Sequence, residues 1–251
     1  IRASEPMRWL LIPFAPGEPP LEPGRWLPRL ALPAALVAGL LAGLWASGQW
    51  AEYLSFRHAT PFGEVDPLLG RDISFYVFKL PIWEMVLGFL LTMVSVSAIG
   101  VLILYWARGG IGPGPWRSRR LHVEAPVRLH FTVLGASIFV LLAFRAYLEM
   151  PMLLFSTRGP FAGASYADVH AVLPALKVLV AVCCLGAVLV TVNLVRRHRL
   201  LVPTAVGLYL LVTVVGLYAY PWFLRRFSVL PNELARERPC ILRNIAGTRS
   251  A

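Results

Sequence analysis

Long apolar runs alternate with shorter polar stretches along this chain. A helix that crosses a membrane needs about 20 apolar residues, because each residue adds about 1.5 Å along the helix axis. Backbone polar groups find no partners in lipid, so spans of this kind must be helical. The pattern therefore predicts five transmembrane helices, over residues 29–50, 82–107, 128–148, 172–196 and 200–224.

The composition agrees with a membrane protein. The chain is 57% hydrophobic and 15% charged, and its mean hydropathy is +0.66. Soluble domains are about 45–50% apolar and about 25% charged, so this chain has too little polar surface to cover itself in water. The predicted fold class is all-α, a polytopic transmembrane helical bundle.

The arginines predict how the bundle is oriented. The segment before the first span and the loops after the second and fourth spans hold 12 basic and four acidic residues, whereas the other two loops and their bordering span ends hold six basic and seven acidic residues. The positive-inside rule places the first group in the cytoplasm. Residues 1–27 are then cytoplasmic, and residues 60–81, 149–171 and the tail 225–251 are extracytoplasmic.

The net charge of +11 follows from the same topology. The alternative, nucleic-acid binding, requires a basic patch on a folded soluble surface. No segment is long enough to build one, so we expect no nucleic-acid partner.

The polar stretch 60–81 has the composition of an ordered segment. It contains the turn signals Pro61-Phe62-Gly63 and Asp66-Pro67, followed by the aromatic-rich residues 73–80. We interpret 73–80 as an interfacial segment on the outer membrane surface, and a strand in a small extracytoplasmic domain is the alternative. Pro81 suits the first turn of the second span.

Several ionisable residues lie near the predicted outer ends of the spans. A charge within a span is costly and marks a functional site by default, but these residues are within one or two turns of a span end, where long side chains can reach the interface. Two interpretations stay open: a structural ring of ion pairs, or a path for a substrate or ion. The members of this outer charged ring are Glu84, Arg145, Glu149, Asp168, His170 and Lys177.

Small residues recur at every fourth position of the first span, at Ala35, Gly39, Gly43 and Ser47. This spacing lets two helix backbones approach closely. It predicts a packing stripe, used either within the bundle or between two copies of the chain.

The motifs of several enzyme classes are missing from the sequence. Residues 109–114 are rich in glycine but lack the Lys-Ser/Thr that phosphate binding needs. Cys183 and Cys184 are interpreted as small apolar helix residues, with a redox or metal pair as the alternative. We expect no catalytic site, no metal site and no enzymatic activity, and the sequence identifies no cofactor. The first residues have no apolar core with a cleavage site, so no signal peptide is expected.

Three patches, residues 59–81, 158–176 and 231–249, resemble in order and spacing the UPF0182 family of bacterial integral membrane proteins. The resemblance runs from about Pro28 to the last residue, although Cys240 stands where the family usually has Tyr and Leu242 where an acidic residue is common. It implies the bacterial cytoplasmic membrane and about seven spans followed by a large extracytoplasmic domain. The tail would then be the start of that domain. The resemblance implies no known activity.

Two functions follow as expectations. The first is a structural or accessory subunit, or a membrane anchor for an extracytoplasmic domain or a larger membrane complex. Its partners would be membrane lipids and other proteins of that complex. The second is a transporter or channel-like subunit with a charged outward-facing cavity.

Overall fold

A computed structural model describes residues 23–107, 111–113, 121–123, 125–159 and 161–250. Of the predicted cytoplasmic segment 1–27, residues 1–22 lie outside the described residues. Most of the arginine-rich loop after the second predicted span also lies outside them, including part of the glycine-rich stretch 109–114.

The described residues are mainly helical. Two short strands, β1 (Ile111–Pro113) and β2 (Leu121–Val123), pair in antiparallel register. The helices are α1 (Pro23–Ser47), α2 (Trp50–Arg57), α3 (Leu80–Ala107), α4 (Ala125–Met152), α5 (Leu173–Arg196), α6 (Leu201–Val212), α7 (Tyr220–Leu224) and α8 (Glu233–Ser250). Single π-helical turns cover Phe75–Lys79, Asp168–Val172, Thr213–Ala219 and Arg225–Val229, and 3-10 turns cover Leu153–Phe155 and Leu230–Asn232.

Four helical runs are long and apolar enough to cross a membrane, and a fifth results if α1 and α2 are counted as one broken span. The prediction of an all-α transmembrane bundle with about five spans is therefore confirmed. The four runs are Phe75–Tyr105, Ala125–Phe155, Asp168–Arg196 and Leu201–Ala246.

The aromatic segment before the second span is helical. The turn Phe75–Lys79 continues directly into α3. The alternative prediction, that residues 73–80 form a strand, is therefore wrong. Tyr76 and Leu80 are 7% and 2% exposed and pack in the same cluster. Because they are four residues apart, a helix brings both to one face.

The last helical run continues far beyond the predicted end of the fifth span at residue 224. It covers 46 residues, 201–246, or about 70 Å at 1.5 Å per residue. The hydrocarbon core of a bilayer is about 30 Å thick. The predicted tail is thus largely the helix α8, and the run is more than twice as long as one crossing requires.

The chain forms two compact units, residues 1–51 with 93–134, and residues 52–92 with 135–251. In the first unit, Tyr105 and His130 form a hydrogen bond between α3 and α4. The second unit holds both hydrophobic clusters among the described residues. One joins α4, α5 and α6 around Leu176 and Cys183, and the other joins α3 to α4 around Leu80 and Leu148.

Candidate functional site

Three segments of the second unit meet where α3 and α5 begin and α4 ends. We call residues 60–79, 153–172 and 225–246 together the polar end. Within it, carboxylates and arginines connect turns that are far apart in sequence. Its contacts define the candidate site.

The first segment is folded around Asp72. Its carboxylate accepts hydrogen bonds from the backbone N–H groups of Ser74 at 2.8 Å, Gly63 at 3.0 Å and Phe62 at 3.2 Å. Gly63 has a φ of 80°, which favours glycine at this turn. The hydrogen bonds from the Ser74 side chain and backbone, with smaller contributions from Phe62 and Gly63, lower the pKa of Asp72 to about 2.

Asp66 fixes the same segment to the start of the second span. It is 6% exposed, and its carboxylate accepts hydrogen bonds from the Leu68 and Leu69 N–H groups and, at 3.1 Å, from the Tyr76 hydroxyl. The charge of this buried acid is therefore compensated by local donors, as buried charges require.

Arg71 connects the segment to α4. Its guanidinium donates to the Tyr147 hydroxyl at 2.6 Å and lies 4.5 Å from the centre of the Phe75 ring and 5.1 Å from that of Tyr147. Cation–π contacts of this kind add attraction to the hydrogen bond.

The second segment is organised by Asp168, which is 1% exposed. Its carboxylate accepts from the Ser165 hydroxyl at 2.9 Å and from the Ser165 N–H at 3.2 Å, and it lies 3.8 Å from the Arg158 guanidinium. His170 stacks on Tyr166 with ring centres 4.0 Å apart.

The third segment, α8, is bound to the second. Glu237 is 2% exposed and accepts the backbone N–H of Tyr166 at 2.9 Å. Arg236 donates to the Tyr166 hydroxyl at 3.1 Å, and the Asn244 amide donates to the Ala162 carbonyl. These contacts span about two turns of α8 and fix it against the loop between α4 and α5.

The predicted outer charged ring is divided among several places. Arg145 and Glu149 form an ion pair of 3.0 Å and line a cavity of about 210 Å³ with Glu84. They also line a cavity of about 460 Å³ with Arg158. Asp168 and His170 belong to the loop network above. Lys177 is exposed on α5 and has no ion-pair partner within the described part of the chain.

The predicted packing stripe lies on α1 of the first unit, where Ala35, Gly39, Gly43 and Ser47 are all exposed. No described neighbour lies within 4 Å of a Cβ placed at Gly39 or Gly43. The use of the stripe, within the bundle or between copies, stays a prediction.

Residues 66–77, 154–169 and 240–244 enclose a further cavity of about 280 Å³. The sequence did not indicate it, because its walls come from three distant segments. The sequence also gave no sign that Glu237 is buried, since an acidic residue in a polar helix is normally exposed to solvent. Across the described ranges, no group of three or more His, Cys, Asp or Glu side chains could hold a metal ion.

Comparisons with known proteins agree with the family resemblance of residues 59–81, 158–176 and 231–249. The model of a family described as "Uncharacterised protein family (UPF0182)" matches residues 23–251. UPF0182 proteins of Frankia alni, Pelobacter propionicus and Geobacter sulfurreducens are 39%, 36% and 38% identical over 92%, 91% and 88% of the chain. The chain spans 22–25% of the length of these relatives. No solved structure matches it.

Proposed function

The chain belongs to the UPF0182 family, and we propose that it is the membrane anchor of a larger protein, whose extracytoplasmic part is held rigidly through α8. The attachment of α8 to the loop between α4 and α5 is the observation that carries this proposal. A helix that only led away from the membrane would not need to bury a carboxylate such as Glu237.

The energetics favour a fixed attachment. A buried carboxylate is costly unless it is hydrogen-bonded, and hydrogen bonds to charged groups contribute about 1.5–3 kcal/mol. The bond from Tyr166 to Glu237 is reinforced by the contacts of Arg236 and Asn244. Because Tyr166 begins the helical residues that lead through Asp168–Val172 into α5, a force on α8 would reach the transmembrane helices.

The proposal includes an orientation in the bacterial cytoplasmic membrane. The distribution of arginines supports a cytoplasmic N-terminal segment and an extracytoplasmic polar end. Membrane lipids and the remaining parts of a membrane complex would be the partners. We propose no catalytic step for this chain.

Cys240 provides the test, because it lies on the attached face of α8 and is 4% exposed. In the intact protein in native membranes, with every cysteine other than Cys240 replaced by Ala, a membrane-impermeant maleimide added from outside should label Cys240 slowly. Glu237→Ala should speed labelling about tenfold or more, since loss of the charged hydrogen bond makes local opening easier.

Glu233→Ala is the matched control, because Glu233 is an exposed acid one turn earlier in the same helix. It should leave the labelling rate unchanged. Rapid labelling of the parent protein, or equal rates for Glu237→Ala and Glu233→Ala, would show that α8 is not attached.

A second candidate function is transport, which the two cavities around Arg145 and Glu149 favour. Under this alternative, the purified intact protein would conduct ions in planar bilayers bathed in KCl. Arg145→Met would abolish that conductance without changing the protection of Cys240. Absence of conductance by the parent protein would reject ion conduction and leave the anchor.

A further inference from the structure

The cavity of about 280 Å³ in the polar end has apolar walls. Its size is just below the range for small-molecule sites, about 300–1,000 Å³. It therefore suits a narrow ligand. The aliphatic and aromatic residues of the wall include Leu68, Ile73, Val77, Leu154, Phe155 and Phe161.

Two of the polar side chains on the wall, those of Asp66 and Asn244, are already engaged with the protein. The Asp66 carboxylate accepts hydrogen bonds from Leu68, Leu69 and Tyr76. The Asn244 amide donates to the Ala162 carbonyl. The interior therefore offers apolar contacts to a ligand.

Among the described residues, one cation lines this cavity. Arg243 is exposed on α8, and the described residues give it no ion-pair partner. The other charged wall residue, Asp66, is 6% exposed and held by its donors. The site thus combines a narrow apolar interior with a positive charge that is accessible to water.

The cavity lies beside the starts of two helical runs long enough to cross a membrane. Val77 is in the run that becomes α3, and Val169 is in the run that becomes α5. We propose that the cavity binds one acyl chain of an anionic amphiphile, with the carboxylate or phosphate head group at Arg243.

This inference rests on the proposed function, since Cys240, Arg243 and Asn244 form part of the cavity wall only while α8 is attached. The two can be tested separately. Slow labelling of Cys240 in ligand-free protein reports the attachment, whereas ligand binding reports the cavity.

The probes are palmitate and hexadecanol that carry a photoreactive diazirine near the end of the chain. The intact protein is placed in nanodiscs of phosphatidylcholine, which has no net charge. After illumination, adducts of both probes should map to residues 68–77 and 154–169. Excess unlabelled palmitate is added in one arm and phosphatidylglycerol in another. Competition by palmitate alone would identify a free fatty acid as the source, and competition by phosphatidylglycerol would identify a membrane lipid.

Arg243→Gln tests the recognition of charge. It should weaken palmitate binding about fivefold, the effect of losing an exposed ion pair, and leave hexadecanol binding unchanged. Arg238→Gln, at another exposed arginine of α8, should change neither.

Ala164→Phe tests the apolar interior, because Ala164 lines the cavity. The larger side chain should reduce labelling by both probes while Cys240 stays protected. Adducts confined to other surfaces, or equal losses of both probes in Arg243→Gln, would overturn the inference. Rapid labelling of Cys240 in the ligand-free parent protein would instead reject the attachment on which it rests.

Discussion

Carboxylates of the polar end bind the backbone of their own chain. Asp66, Asp72 and Glu237 all accept N–H groups. Asp72 accepts three backbone N–H bonds, and these stabilise its charged form. At the scale of the residue, Asp66 and Asp72 shape turns and Glu237 binds a loop that is distant in sequence. These roles differ from that of a substrate path.

Asp72 makes this interpretation testable by pH. Its pKa is lowered from 3.8 to about 2, so the ionised side chain stabilises the folded segment above pH 3.8, and this contribution is lost as the pH falls through about 2. We expect residues 60–74 to exchange amide hydrogens slowly at pH 5 and, after correction for intrinsic rates, faster at pH 2. Asp72→Ala should show the fast exchange at pH 5.

Glu64→Ala serves as the control for this experiment, because Glu64 is an exposed acid of the same segment. Its exchange profile should match that of the parent protein at both pH values. A segment that stays protected in Asp72→Ala would show that other contacts hold the turn.

At the scale of the element, close helix packing depends on a glycine that the sequence pattern did not single out. A Cβ at Gly186 of α5 would lie 2.6 Å from the Phe139 ring of α4, and Phe139 belongs to the main cluster. The stripe on α1 follows a fixed four-residue spacing, whereas Gly186 matches one aromatic ring. The first kind of signal is visible in a sequence, and the second requires the tertiary structure.

Gly186→Ala should therefore destabilise the protein although alanine favours helices. Overpacking costs about 1–3 kcal/mol, which exceeds the gain of about 1 kcal/mol from replacing a helical glycine. We expect a lower thermal midpoint in detergent and recovery in the double variant Gly186→Ala with Phe139→Leu.

Gly207→Ala provides the matched comparison. Gly207 is in α6, and no described neighbour lies within 4 Å of a Cβ placed there. This variant should be as stable as the parent protein or more so. A lower midpoint for Gly207→Ala, equal to that of Gly186→Ala, would remove the explanation by packing.

The same contrast explains how much of the whole molecule could be predicted. The length of the apolar runs was enough to find the spanning helices, since lipid allows few alternatives. Their ends were harder to predict, because Tyr76 and Glu237 extend the helical structure through contacts with distant segments. Contacts between residues close in sequence could be predicted, as for Arg145 and Glu149, which are four residues apart. The attachment of α8 could not, because it joins residues that are 71 positions apart.

Orientation is the property of the whole molecule that charge should control. The end of α5 and the loop that follows it hold Arg196, Arg197 and Arg199, whereas residues 225–251 hold six arginines and two glutamates. The positive-inside rule applies to short loops, whereas long domains translocate largely regardless of their charge. The arginines of α8, which leads into the larger extracytoplasmic part of the proposed anchor, should consequently have little influence, although they outnumber those of the loop.

Alkaline phosphatase fusions measure this directly, because the enzyme is active only outside the cytoplasm. A fusion after residue 250 should be active, and a fusion after residue 198 should be inactive.

Replacing Arg196, Arg197 and Arg199 by Gln should produce mixed orientations, with activity after residue 198, since the loop loses its cytoplasmic signal. The same replacement of Arg236, Arg238 and Arg243 should change neither fusion. Activity after residue 198 in the parent protein would reverse the proposed topology and place the polar end, with α8, in the cytoplasm.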